Sequence, residues 1–247
     1  MRPAAAISIM ASALAAVSLA SCESTQTTSD RLSTNAKKLL NAEGLKVTEQ
    51  NKAIKVTGTS VLKDENGIAV VVDMKNSGKA QGGVPVAIAV KGAGGKEIWS
   101  NSTPGLDRSL ITAAVVDRGS SFWVNNQIQA AGKPKKAVAK IGPSDTGVPA
   151  DPPVIKLSKF QFKSDISGVY LAGVVKNTSK LPQKRLVISC VSRSGGTVVA
   201  AGRAIIDRLA PDPTPKPVLF RVYFIGNPKG GKVQCISPPT TLTGEAQ

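Results

Sequence analysis

The chain repeats itself. Slid by 101 residues, positions 53 to 98 fall on 154 to 199 without a gap, and 11 of the 46 pairs are identical. They are Ile54/Ile155, Lys55/Lys156, Asp64/Asp165, Gly67/Gly168, Lys75/Lys176, Asn76/Asn177, Lys79/Lys180, Val86/Val187, Val90/Val191, Gly94/Gly195 and Gly95/Gly196. Ordinary composition would give a chance level of roughly 6%. After a small deletion the match resumes, with Val138, Ile141 and Pro143 set against Val233, Ile236 and Pro238. A duplication is a strong constraint, because whatever one half folds into, the chain must build twice.

Each half reads as all-β. In the second, runs rich in Val and Ile occupy Val154–Lys163, Val169–Lys176, Arg185–Ser192, Thr197–Ile206, Val218–Ile225 and Lys232–Ile236. Turn formers separate them: Ser167-Gly168, Asn177-Thr178-Ser179, Gly195-Gly196, Pro211-Asp212-Pro213 and Asn227-Pro228. The first half follows with Ile54–Lys63, Ile68–Lys75, Val84–Lys91, Glu97–Asn101, Leu110–Val116, Phe122–Ile128 and Ala137–Ile141. Short strands at this spacing, with no helical period between them, predict a β-sandwich in each copy. The expected layout is a first sandwich over 45–142, a Pro-rich semi-stiff linker over 143–153 and a second sandwich over 154–247.

The pattern is a strand, then Lys-Asn-Thr-Ser, a hydrophobic strand, a Gly-Gly hairpin, another strand and a final Phe-x-Val strand. It resembles the FxLYD-type immunoglobulin-like domains of bacterial surface proteins, best over Val169–Ile225 and less closely over Ile68–Ile128. The resemblance implies tandem duplicated immunoglobulin-like β-sandwiches with no catalytic residues.

The N-terminus predicts export. Arg2 supplies one positive charge, and residues 4 to 20 carry none. That is the layout of a secretory signal, and the stretch is too short and too rich in Ala and Ser to span a bilayer well. It ends in Leu19-Ala20-Ser21-Cys22, which resembles the lipobox of bacterial lipoproteins. The resemblance implies cleavage after residue 21 and a diacylglycerol thioether on Cys22, with the new amine open to acylation. Two or more fatty chains anchor stably where one does so only marginally, at about 0.8 kcal/mol per buried methylene. Residues 22–44 would form a polar tether, apart from a short helix over Asn35–Ala42. The expected location is the cell membrane, facing the periplasm or the cell exterior.

Composition narrows the chemistry. The chain has no histidine, which removes the commonest general base and metal ligand and every Ser-His or Cys-His pair. The net charge of +16 is spread out, with 14 bases and 8 acids over 45–148, and 14 and 5 over 149–247. The few aromatics do not interleave with basic clusters, so nucleic acid is not an expected partner. A basic surface near anionic lipid headgroups or wall polymer is. Gly226–Val233 misses a phosphate-binding loop by one residue and should be a hairpin turn, since a strand rather than a helix follows. Asp64-Glu65-Asn66-Gly67 and its counterpart Asp165-Ile166-Ser167-Gly168 read as tight turns rather than calcium loops. Asp107, Asp117, Asp207 and Asp212 form no recognisable acid pair and read as solvated strand-end carboxylates.

Cys190 and Cys235 both fall on strands of the second half, and the match sets Ala89, before the deletion, and Lys140, after it, against them. Joint presence in one copy and joint absence from the other is the pattern of a disulfide, which an exported chain can keep. Two buried thiols or a soft-metal site are the alternatives. No metal, cofactor or catalytic residue is expected. The functional expectation is a membrane-anchored, non-enzymatic interaction or structural module that meets an envelope protein or anionic polymer. A small-ligand receptor of a transport system is the alternative.

Overall fold

In the computed structural model, residues 44–144, 146–211 and 217–243 are described. Cys22, the lipobox, Asn35–Ala42 and Asp212 lie outside them. The first copy contains β1 (Ile54–Asp64), β2 (Gly67–Asn76), β3 (Gln81–Lys91), β4 (Glu97–Ser100), β5 (Thr112–Val116), β6 (Gly119–Ile128) and β7 (Lys136–Ile141). A two-residue β8 (Thr146–Gly147) follows, then β9 (Ile155–Asp165), β10 (Gly168–Asn177), β11 (Gln183–Ser194), β12 (Thr197–Leu209), β13 (Val218–Gly226) and β14 (Lys232–Ile236). The chain is an all-β sandwich fold built twice, with every expected strand present within a few residues.

In the first copy, β1-β2-β6 forms one sheet, and β3 forms the other with β4 and β5 on one edge and β7 and β8 on the opposite edge. The second copy has the same neighbours, but its two sheets run into one, in the order β14-β11-β12-β13-β10-β9. Core side chains alternate along β3, where Val84, Val86, Ile88 and Val90 point inward, as a two-residue period requires. Leu186, Ile188 and Cys190 do the same on β11.

That alternation corrects the gapless pairing of the two halves. The turn before β11 holds one residue more than the turn before β3, so Gln183 matches Gln81 and Arg185 matches Gly83. Gly83 and Arg185 share a left-handed backbone, with φ of 58° and 49°. Ile188 therefore matches Val86, where the gapless match set the half-buried Val187 against the fully buried Val86. The offset is absorbed at the next hairpin, where Gly195 and Gly196 (φ 54° and 84°) form a two-residue turn in place of a longer loop. A slip of one residue reverses which face each side chain occupies, so burial decides the match.

Several repeated residues hold turns. The Asn76 amide donates to the Lys79 carbonyl at 2.9 Å, and the Asn177 amide donates to the Leu181 carbonyl at 2.7 Å. Asp64 accepts from the Asn66 amide at 2.8 Å and Asp165 from the Ser167 amide at 2.9 Å, closing the β1–β2 and β9–β10 turns. The loop over 227–231 is a turn between β13 and β14, with the Gly231 amide donating to the Pro228 carbonyl at 3.3 Å.

The copies differ where β12 is continuous and its counterpart is broken into β4 and β5. Between Asn101 and Ile111, whose backbones still bond Ile88 and Val86 of β3, the chain leaves the sheet, and Asn101 fills the gap. Its buried side chain accepts from the Ile88 amide at 2.7 Å and donates to the Val86 and Leu110 carbonyls at 2.7 and 2.9 Å. One side-chain amide thus stands in for a missing peptide unit of the ladder. In the second copy β12 instead pairs with β13 through Ala200↔Gly226, Ala201↔Ile225 and Gly202↔Phe224. Glycines permit that approach: a Cβ on Gly202 would lie 2.0 Å from the Tyr223 carbonyl oxygen, and one on Gly226 would lie 2.4 Å from that of Val199.

Candidate functional site

β2 carries an unbroken apolar run, Ile68–Val72, in which every side chain is buried. Ile68, Val70 and Val72 face the first core, while Ala69 and Val71 face away from it. With Phe122 and Val124 of β6, these outward residues pack on Val191, Val198, Ala201 and Ile225 of the second copy. The two sandwiches therefore share an apolar layer. The run was the sequence signal for it, since a strand buried on both faces loses its alternation.

Polar contacts ring this layer, with acceptors on the first copy and donors on the second. Asp64 accepts from the Gly226 amide at 2.8 Å, and Asp73 pairs with Arg193. The segment between Asn101 and Ile111 reaches across as a bracket. Asp107 pairs with Arg185, and Arg203 donates to the Ser109 carbonyl at 2.9 Å and to its hydroxyl. Asp207 lies 3.6 Å from Arg185. Asp207, expected as a solvated carboxylate, is one, with its side chain 88% exposed, whereas Asp107 is partly buried, and both converge on one arginine. Arg185 holds that place in a left-handed backbone that costs a non-glycine residue about 1–2 kcal/mol. Its counterpart Gly83 adopts the same backbone freely.

Arg203 is only 7% exposed. Burial pushes its guanidinium down to about 10, against the pull of Asp107, and leaves it charged at neutral pH. Burial raises Asp107, but hydrogen bonds from the Ser109 hydroxyl and amide and the charge of Arg185 outweigh it, so its carboxyl sits below the ordinary value of 3.8. A carboxylate with a lowered folded pKa stabilises fully above its unfolded pKa, and that contribution is lost as pH falls through the folded pKa. The bracket is therefore expected to hold at pH 5 and to release below pH 3.8. Amide hydrogen exchange at Ser109 and Leu110 should rise in that acid range in the parent chain. In Asp107→Asn it should already be raised at pH 5.

Two clefts open between the copies. In the first sandwich no ladder joins β5 to β6 among the described residues, and the Trp123 indole N–H spans the seam to the Thr112 carbonyl at 3.1 Å. A cavity of about 270 Å³ enters there, floored by Met74, Ala113, Phe122 and Trp123 and roofed by Val187 and Ile236. Arg108, Lys184 and Arg185 line it beside Asp107. In the second sandwich no ladder joins the end strands β9 and β14 among the described residues. The matching β1/β7 seam of the first copy is likewise without a ladder, and the Thr59 hydroxyl donates across it to the Ala137 carbonyl at 2.8 Å. A cleft of about 530 Å³ lies at the β9/β14 seam, lined by Val154, Ile155, Leu157, Phe160 and Cys235 and by Asp117 of the first copy. Val115, Ser121, Ile236 and Pro238 line both clefts, so the two seams meet. Phe160 and Phe162, though on the core side of β9 against Phe220 and Phe224, are 50% and 43% exposed.

Cys190 and Cys235 lie directly opposite one another on β11 and β14, with Cα atoms 4.1 Å and sulfurs 2.05 Å apart. Their counterparts in the first copy are Ile88 and Ala139, an apolar cross-strand pair on the core side, rather than Ala89 and Lys140. The segment expected as a spacer between the copies is bonded to the first: β8 pairs with Gln81 and Gly82, and the Ser144 hydroxyl donates to the Gly82 carbonyl. Among the described residues, no group of three or more His, Cys, Asp or Glu side chains is placed to hold a metal ion. The chain matches no protein-family model and no curated protein sequence.

Proposed function

We propose that the chain is a lipid-anchored envelope protein whose exported part is a non-enzymatic binding module. The two sandwiches act as one body that presents the cleft between them. The observation that carries this reading is that two unpaired seams, β5/β6 of the first copy and β9/β14 of the second, face the same cleft. A stable sandwich gains nothing from two open seams, whereas a binding site between domains needs such a concavity. The lipobox Leu19-Ala20-Ser21-Cys22 supports the anchor, and the FxLYD-type likeness agrees with a module made for contacts.

The anchor is tested on the full chain in its bacterial host. Cys22→Ser is expected to abolish metabolic palmitate labelling and to move the protein out of the membrane fraction. Unchanged labelling and fractionation would overturn the lipid-anchored reading. The size and apolar lining of the cleft also favour a second reading, a receptor for a small ligand rather than for a protein surface.

A further inference from the structure

We infer that the inter-copy cleft binds a single-chain carboxylic acid, with its hydrocarbon chain in the joined seams and its carboxylate at the Arg108–Lys184–Arg185 rim. The inference deepens the binding-module reading and rests on it. Apolar side chains line the length of the cleft. Met74 and Trp123 stand toward one end, Leu157, Phe160 and Cys235 toward the other, and Ile236 lies where the two meet. A seam between two sheets gives access to core side chains, so it can admit an extended hydrocarbon.

Charge is concentrated at the first end. Arg108, Lys184 and Arg185 line the cavity there, and Lys184 stands opposite Arg208 on the β11–β12 ladder. Asp107 and Asp207 both engage Arg185, so the three lining cations are offset by two carboxylates. With Arg208 and the buried Arg203 counted, the cations at this end outnumber the two carboxylates, and the surplus suits an anionic head group. The far cleft carries Asp117, which would oppose a second acid group there. An amphiphile charged at one end only fits this polarity, and a guanidinium beside an ammonium supplies charge-assisted hydrogen bonds to its head.

The chain contains two tryptophans, and Trp123 lines the cavity. With Trp99→Phe, Trp123 becomes the sole indole reporter. The test uses the full chain carrying Cys22→Ser, free of detergent, titrated with dodecanoate below its micelle concentration and in parallel with dodecanol. Dodecanoate is expected to give a saturable change in Trp123 fluorescence and to raise the melting temperature. Arg108→Gln/Lys184→Gln should weaken dodecanoate by about tenfold and leave dodecanol unchanged, since only the acid loses its partners. Phe160→Glu, at a half-exposed position that tolerates a polar side chain, should weaken both ligands.

No saturable response to dodecanoate from a chain that still melts cooperatively would overturn the assignment. So would equal affinities for acid and alcohol that the charge variant does not separate. Either result leaves the anchored-module reading standing. Membrane retention of Cys22→Ser would overturn that reading whatever the titration shows.

Discussion

Reduction of the Cys190–Cys235 bond is expected to destabilise the folded chain by on the order of 4 kcal/mol. The two cysteines are 45 residues apart, and closing a loop of that size removes about this much chain entropy from the unfolded state. For a folded unit of this size, the loss should lower the melting temperature by about 10 °C. Cys190→Ile/Cys235→Ala, which installs the pair found at Ile88 and Ala139, should melt at the same temperature with and without reductant. Thermal melts of parent and variant, each with and without reductant, check this. A parent insensitive to reductant, or two free thiols in the exported chain by mass spectrometry, would show that the bond does not form. The effect should appear in a single transition, because the copies share an apolar layer and melt together.

That coupling leads to the second large effect, at one position of the repeat in its two settings. Phe122 on β6 pairs with Asp73, and Leu219 on β13 pairs with Val174, so the two occupy the same place in the two copies. Phe122 is 4% exposed beneath the second copy, whereas Leu219 is 78% exposed. Phe122→Ala is expected to cost about 3–5 kcal/mol, the usual range for emptying a buried phenylalanine site. Leu219→Ala should stay within about 0.5 kcal/mol. Denaturant titrations of the two variants decide the matter. Equal small costs would mean that the sandwiches do not pack on each other in solution. A variant of Phe122 whose melting splits into two transitions would show this layer to be what couples them.

The strands and turns were legible because their signals are local. Val- and Ile-rich runs, Asp-x-x-Gly and Gly-Gly turns, and the repeated Asn76/Asn177 act through bonds spanning a few residues, so each copy declares them separately. The cysteine pair was legible from its joint occurrence, but its counterpart was misplaced. A gapless alignment counts residues, whereas a sheet alternates faces, and one extra residue in the turn before β11 exchanged the two sides. The left-handed backbone shared by Gly83 and Arg185 marks the true match, and only geometry reveals it.

The site was less legible for a related reason. The run Ile68–Val72 announced a strand buried on both faces, yet nothing in it names what covers the second face. Asp73, Asp107, Arg185, Arg193 and Arg203 look like ordinary surface charges until the copies meet. Their partners lie 78 to 120 residues away, beyond the reach of any spacing argument. By itself the sequence determined that this chain makes two β-sandwiches, because period and turn chemistry act over a few residues. Which seams close was decided by the tertiary structure. Closure depends on whether two backbones can approach, as Gly202 and Gly226 allow in the copy where β12 is continuous. The same packing laid both open seams along a single cleft.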